Sequence, residues 1–159
     1  MEYIIGGEKM FIVNVEGAVF HQGHWLLIKR SMKEEHAAGT LSLVGGKVEH
    51  EGHVNNILEK SVQREIFEEV GIEVDDQMDY VWSSSFLADD HSAVINVVFL
   101  CKYKSGKAFA KSPDEVDSVH WLTTKEIVQH PLAAVWLKDS IIAAEKILNN
   151  KGDTYVSHT

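Results

Sequence analysis

Apolar residues recur with two different periods along the chain, and these periods predict its secondary structure. Alternating or continuous apolar stretches rich in β-branched and aromatic residues predict strands. Such stretches cover residues 10–20, 25–30, 41–44, 80–87, 94–103 and 115–122. Apolar residues spaced four apart predict an amphipathic helix that ends at Gly71, and a second long helix spans residues 135–148.

Turn-forming and polar residues identify the connections between these elements. The run His21-Gln22-Gly23-His24 predicts a hairpin turn between the first two strands. Residues 31–40 predict a loop, residues 74–79 a turn-rich link, and Ser105-Gly106 another turn. Thr123, followed three residues later by Glu126, predicts a capped short helix. Residues 151–159 are expected to form a flexible tail.

The first helix combines a buried face with a dense acidic face. Glu65, Glu68 and Glu69 occupy positions i, i+3 and i+4 and therefore share one side of the helix. The apolar face repeats every four residues through Leu58, Val62, Ile66 and Val70. Because neighbouring like charges repel one another, the acidic face favours a bound cation. Carboxylate oxygens suit Mg²⁺ or Mn²⁺ when the phosphates of a substrate complete the coordination shell.

The stretch from Gly45 to Ile72 resembles the Nudix box, the signature of the Nudix (MutT-like) hydrolase family. The family pattern is Gly, five residues, Glu, seven residues, and then Arg-Glu-apolar-x-Glu-Glu-x-Gly-apolar. Residues 64–72, REIFEEVGI, match every fixed position of its second half. The first half diverges, because the segment between Gly46 and Arg64 carries four extra residues and Asn56 stands where the family has Glu.

This resemblance implies an α+β fold, an α/β/α sandwich with a mixed β-sheet between helices, formed by residues 1–159 as one domain. It also implies an Mg²⁺-dependent pyrophosphohydrolase, with Mn²⁺ as an alternative metal. The expected substrate is a small molecule in which a nucleoside diphosphate is linked to another moiety. Asn56 and the insertion motivate an alternative, a nucleotide-binding or regulatory domain with weak or no turnover. A homodimer is a further expectation, since Nudix proteins are often dimers.

The resemblance assigns metal-binding and catalytic roles to particular residues of this chain. The implied metal ligands are Glu65, Glu68, Glu69, the carbonyl of Gly46, and Glu49. Of these, Glu49 is expected to replace part of the role lost at Asn56, with Glu51 as a second candidate on the same loop. The implied catalytic residues are Arg64, Glu65, Glu68 and Glu115. Arg64 is expected to hold Glu68 by an ion pair four residues along the helix. Glu115 is expected as a further ligand or general base, with Asp114 and Asp117 as competing candidates.

Candidate substrate contacts are fewer and compete with structural interpretations. Arg30 is placed like an arginine that often faces the phosphates in Nudix proteins, although a surface cation is an equal interpretation. Trp82 and Phe86, and also Trp136, are candidates for stacking on a base, although aromatic residues in strands and helices more often belong to the core. Family members that remove oxidised purine nucleotides can carry an acidic pair where this chain has Leu132-Ala133. That difference argues against this specificity.

Composition narrows the class of protein further. A formal charge of −9 argues against a nucleic-acid partner, because such proteins usually present a basic face. The single cysteine, Cys101, excludes an internal disulfide. The absence of a stretch of about 18 apolar residues, and of an apolar core near the start, predicts no membrane association and a cytoplasmic location. His50 and His53 lack the ligand spacing of zinc sites and are interpreted as part of a polar loop.

Overall fold

The computed structural model describes residues 4–5 and 8–152, and the prediction of a tail over 153–159 lies outside this range. Its strands are β1 (Ile4–Ile5), β2 (Glu8–Lys9), β3 (Phe11–His21), β4 (His24–Arg30), β5 (Leu41–Ser42), β6 (Val44–Lys47), β7 (Glu73–Leu87), β8 (Ala93–Ser105) and β9 (Val116–Leu122). Its helices are α1 (Ile57–Val70), α2 (Thr124–Val128) and α3 (Val135–Lys151). Lys151 therefore belongs to α3 and not to a tail.

The predicted hairpin is confirmed, but its two strands stay paired only near the turn. Phe20 pairs with Trp25 and His21 with His24, around a two-residue turn. Beyond these pairs, β3 pairs with β6 on one side and, in parallel, with β8 on the other. Strand β4 pairs instead with β5 and β9. The seven-stranded sheet is therefore mixed, and β3 and β4 diverge at the end where β4 finishes with Arg30.

The predicted link over residues 74–79 is wrong, because this segment lies within the long strand β7. Val74 pairs with Tyr103 and Met78 with Cys101, so residues 75–77 face a single partner residue and form a bulge. A bulge interrupts the alternation of side chains along a strand. The polar residues of this bulge, Asp75, Asp76 and Gln77, account for the turn-like composition of the segment.

Two apolar cores lie on the opposite faces of this sheet, which confirms the α/β/α arrangement. On one face, Val62, Ile66 and Val70 of α1 pack with Val15 and Val19 of β3. On the other, Leu137, Ile141 and Ala144 of α3 pack with Ala18 of β3. Strand β8 contributes buried residues to both cores, as its continuous apolar sequence predicts. Because side chains alternate along β3, its even-numbered residues face α3.

The predicted capped helix is confirmed as α2. The Thr123 hydroxyl accepts a hydrogen bond from the backbone N–H of Glu126, and the Glu126 carboxylate accepts one from the backbone N–H of Thr123. This reciprocal pair satisfies two backbone donors at the helix start. Across the described residues, every helix is too short or too polar to span a bilayer.

Candidate active site

Helix α1 places its acidic face against the glycine pair of β6. A Cβ atom added to Gly46 would lie 2.5 Å from the carboxyl carbon of Glu65, so only glycine leaves room for that carboxylate. The helix ends at Gly71, whose positive φ of 75° lets its N–H bond to the Phe67 carbonyl. Both glycines of the motif therefore serve the geometry of α1, one by close approach and one by terminating the helix.

Arg64 connects two of the acidic side chains. Its Nη1 donates to Glu65 Oε1 at 3.1 Å and lies 3.6 Å from Glu68 Oε2. The predicted Arg64–Glu68 pair is therefore present, and Glu65 is the nearer partner. The Glu65 side chain is only 13% exposed, whereas that of Glu68 is 56% exposed. Burial raises the pKa of Glu65 to about 7, Arg64 opposes this rise, and Glu68, Glu115 and Glu49 reinforce it.

Glu69 is the most buried acid of the helix, at 6% exposure. Its Oε2 atom is buried without a hydrogen-bond partner among the described residues. Burial raises the pKa of this carboxyl to about 9, and the nearby Glu65 and Glu115 carboxylates add to the rise. A buried oxygen without a donor is costly in a folded protein. Glu69 is therefore a group whose ionised form requires a cation beside it.

The structure places Glu115, and not its acidic neighbours, beside the acidic face of α1. Its charge raises the pKa of both Glu65 and Glu69. Its Oε2 accepts a hydrogen bond from the Ser112 hydroxyl at 3.2 Å. Asp114 pairs with Lys33 at 3.0 Å, and Asp117 pairs with Lys29 at 3.8 Å. Of the three candidates, Glu115 therefore joins the cluster, immediately before β9 begins.

The inserted loop brings Glu49 toward the same place. Its charge raises the pKa of Glu65, which lies further along the chain in α1. Glu51 is exposed. Asn56 adopts the left-handed conformation at the start of α1, is exposed, and makes no side-chain capping bond. The family's acidic position at Asn56 is thus occupied by a surface residue.

The donor atoms of this acidic cluster fit a hard divalent cation. They comprise the carboxylates of Glu49, Glu65, Glu68, Glu69 and Glu115, together with the peptide carbonyl of Gly46. The partnerless oxygen of Glu69 and the raised pKa values of Glu65 and Glu69 are the features that a bound cation would relieve. Among the described residues, no three acidic, histidine or cysteine side chains already stand close enough to form a complete metal site.

Arg30 lies between the acidic cluster and the opposite face of the sheet. Its Nε donates to the backbone carbonyl of His36 at 3.1 Å, and its Nη2 lies 3.5 Å from Glu34 Oε2. The guanidinium lowers the pKa of both Glu69 and Glu16. Arg30 stands at the end of β4, where β3 and β4 have diverged. This position allows its charge to act on both Glu69 and Glu16.

A polar group that sequence reasoning missed lies on the α3 face of the sheet. Asn14 Nδ2 donates to Asn96 Oδ1 at 2.8 Å, and Asn96 Nδ2 donates to Glu16 Oε1 at 2.6 Å. Burial raises the pKa of Glu16, against the effects of the Asn96 hydrogen bond and of Arg30. The available signal was the presence of polar residues at alternate positions inside strands that are otherwise apolar.

The three aromatic candidates occupy different environments. Trp82 is partly buried, and its Nε1 donates to the Ser140 hydroxyl at 3.1 Å, so its polar edge is used in holding α3 to the sheet. Phe86 and Trp136 are 52% and 68% exposed. These two rings therefore offer open surface, whereas Trp82 does so only in part.

Comparison with known proteins extends this description. The NUDIX domain family model matches residues 10–144. The structure is similar to that of a MutT NUDIX hydrolase from Burkholderia pseudomallei, with a TM-score of 0.69 and 27% identity over 87% of this chain and 99% of that chain. It is also similar to a MutT protein from Methanosarcina mazei Go1, with a TM-score of 0.71 and 24% identity over 89% and 97% of the two chains.

A third similar structure contains a bound nucleotide. The NUDIX domain of Shewanella oneidensis NrtR, solved in complex with ADP ribose, has a TM-score of 0.72 and 18% identity over 92% of this chain and 94% of that chain. None of the curated proteins matches the chain by sequence.

Proposed function

The chain belongs to the Nudix family of hydrolases, and we propose that it is an Mg²⁺-dependent pyrophosphohydrolase acting on a nucleoside diphosphate linked to another moiety. The observation that carries this proposal is the acidic cluster, in which Glu115 lies beside Glu65 and Glu69 of α1. The partnerless, buried Oε2 of Glu69 supports the proposal that the cluster holds a cation.

The same side chains provide the ligands for the metal. Glu65, Glu68, Glu69 and Glu49 would hold it, together with the carbonyl of Gly46. When bound, Mg²⁺ neutralises the carboxylates, screens the phosphates of the substrate and polarises the bond that breaks. Mn²⁺ takes the same oxygen ligands and is expected to substitute for it.

The remaining steps use residues of the chain itself. Water attacks one phosphorus of the anhydride, the P–O bond to the bridging oxygen breaks, and two phosphate-terminated products leave. Glu115, which lies outside α1 and whose carboxyl group joins the acidic cluster, is the proposed acceptor of the proton from that water. Arg64 holds Glu65 and Glu68 in place through its two contacts. Arg30 is proposed to bind the phosphates, since it already faces the buried acid Glu69.

The proposed substrate class is supported by the solved structures of similar fold. One of them binds ADP ribose, and another, with a TM-score of 0.66, is a UDP-X diphosphatase. In ADP ribose, and in the UDP-X substrates of the second protein, a nucleoside diphosphate carries a further group. This shared chemistry is the basis for extending the class to the present chain.

A substrate panel tests the proposal directly. Nucleoside triphosphates, ADP-ribose, nucleotide sugars and dinucleotide polyphosphates are incubated with Mg²⁺, and phosphate-bearing products are separated and counted. We expect Glu68→Gln to lower kcat by at least about a hundredfold while leaving the thermal midpoint unchanged, because this side chain is mostly exposed. The control Glu73→Gln changes an exposed acid of β7 and keeps full activity. Wild-type rates for Glu68→Gln at saturating Mg²⁺ would contradict the proposed role of the acid.

A binding or regulatory domain without turnover remains the second candidate. It is favoured by Asn56, which is exposed and replaces the acid of the family pattern. Calorimetric titration of the same panel distinguishes the two functions. Tight binding of a nucleotide with no product formed at any Mg²⁺ or Mn²⁺ concentration would favour the binding domain.

A further inference from the structure

Polar side chains form a row across the sheet face that α3 covers. Asn14 of β3 is directly paired with Asn96 of β8, and Asn96 is paired with Ser84 of β7. All three lie on the same face, because Ala18 and Val98, which follow them at even intervals, pack in the α3-side core. Burying a polar group costs free energy unless the group forms a hydrogen bond. Packing alone therefore does not explain polar residues at these positions.

The hydrogen bonds of this row run in one direction. Asn96 donates through its amide nitrogen to Glu16 Oε1 and accepts through its oxygen from Asn14 Nδ2. The two ends of this chain are Asn14 Oδ1, which accepts, and Glu16 Oε2, which accepts when the carboxyl group is ionised. Asn14, Glu16 and Asn96 are only partly buried, so these ends remain accessible to a ligand.

Exposed aromatic rings stand at the border of the row. Ser140 of α3 holds Trp82 of β7, and Lys151 at the end of α3 pairs with Asp79 at 2.9 Å. The helix therefore runs antiparallel to β7, with its first turn directed toward the level of Ser84. Trp136 lies one turn before Ser140 on the same side of α3. Phe86, two residues beyond Ser84, is on the same face of β7.

The row also lies close to the acidic cluster. Glu16 of β3 is directly paired with Gly45 of β6, the neighbour of Gly46, which lies against Glu65. Arg30 opposes the rise in pKa of both Glu16 and Glu69. A substrate whose phosphates lie at the acidic cluster can therefore reach Glu16 with the rest of the molecule. The Arg30 side chain is held in place by its hydrogen bond to the His36 carbonyl.

We propose that Asn14 and Glu16 select the heterocyclic base of the substrate, and that they favour a base whose edge carries an amino group over one that offers only carbonyl oxygens. The N–H donors of an amino group match the two free acceptors, whereas a carbonyl would face them with like partial charge. Phe86 and Trp136 supply the surface on which such a ring stacks. This inference rests on the proposed function, since it identifies the base that the same site takes.

Nucleotides that differ in one amino group test this selection. Guanine and hypoxanthine nucleotides, and adenine and hypoxanthine nucleotides, are compared as diphosphates and triphosphates. Both kcat/KM with Mg²⁺ and the Kd from calorimetry are measured, so the comparison also holds if turnover is slow. We expect at least one amino-bearing base to be preferred about tenfold or more, because an unmatched acceptor leaves a buried polar group unpaired.

Variants separate this role from a structural one. Glu16→Gln and Asn14→Ala are expected to reduce the preference at least about fivefold, mainly through KM and Kd. Glu73→Gln, an acid of β7 outside the row, is expected to keep it. Thermal midpoints establish that each variant is folded, and a Glu16→Gln protein that unfolds is replaced in the comparison by Asn14→Ala.

Equal use of both members of every pair, or an unchanged preference in both variants, would overturn the inference. The proposed hydrolysis would survive that result, whereas a panel with no hydrolysis would refute the proposed function and leave the binding ratios to decide the inference.

Discussion

Replacing Glu69 with Gln is expected to stabilise the metal-free protein at neutral and alkaline pH. The folded protein raises the pKa of this carboxyl from 4.5 to about 9, chiefly through burial and then through Glu65 and Glu115. A raised carboxyl pKa means that the folded state binds the proton more tightly than the unfolded state. The associated stability is therefore fully present below about pH 4.5 and is lost progressively as the pH rises toward 9.

The size of the effect follows from that window. One pH unit of unequal proton binding corresponds to about 1.4 kcal/mol, so the roughly 3.5 units between 4.5 and pH 8 give about 5 kcal/mol as an upper value. Movement of neighbouring carboxylates and entry of water reduce this to about 2–4 kcal/mol. For a chain of this length, the matching rise in thermal midpoint is roughly 5–15 °C. Glutamine keeps the shape of the side chain but never ionises, so the variant escapes the loss.

Thermal and urea unfolding in EDTA at about pH 5 and pH 8 measure this difference. The variant and the wild type should be similarly stable at the lower pH, and the variant should be more stable at the higher pH. Adding Mg²⁺ should stabilise the wild type by mass action and the variant much less. Glu59→Gln, on the same helix but on another side of it, serves as the control and should show neither effect. A Glu69→Gln protein no more stable than wild type at pH 8 would refute the reasoning.

Three further predictions concern the first half of the motif. Glu49→Gln should raise the Mg²⁺ concentration needed for half-maximal rate by at least about threefold and Glu59→Gln should not, because Glu49 contributes to the raised pKa of Glu65 and Glu59 does not; equal effects in a metal titration would argue against a role for the loop. Asn56→Glu should change kcat less than about tenfold, since Asn56 is exposed, and a hundredfold rise in the rate would show that this position still faces the metal. Gly46→Ala should lower activity about tenfold or more, because its Cβ would lie 2.5 Å from the Glu65 carboxyl carbon; wild-type rates in a folded variant would show that this carboxylate moves without consequence.

The local pattern of the chain was sufficient for most of the fold. The period of the apolar residues identified strands from β3 onward, although not the start of β7, and it identified α1 and α3. The Thr123–Glu126 spacing identified the cap of α2. These features depend on contacts between residues close in sequence. The error over residues 74–79 has the same origin, since a bulge and a turn share polar residues and differ only in whether a neighbouring strand is present.

The candidate site was predicted in part for the same reason. The acidic face of α1 follows from helical spacing alone, and so does the contact between Arg64 and Glu68. The choice among Asp114, Glu115 and Asp117 does not, because their order along the chain contains no information about α1. Pairing with Lys33 and Lys29 removes two of them, and only the approach of β9 to α1 leaves Glu115 in the cluster.

The sequence by itself determined the acidic helix and the family, because both depend on the identity and spacing of residues within nine consecutive positions, Arg64 to Ile72. Only the tertiary structure decided what surrounds that helix. Asn14 and Asn96 are 82 residues apart in sequence, and the parallel pairing of β3 with β8 makes them hydrogen-bond partners. Pairing across such a distance depends on the packing of the whole sheet, and no local pattern of residues records it.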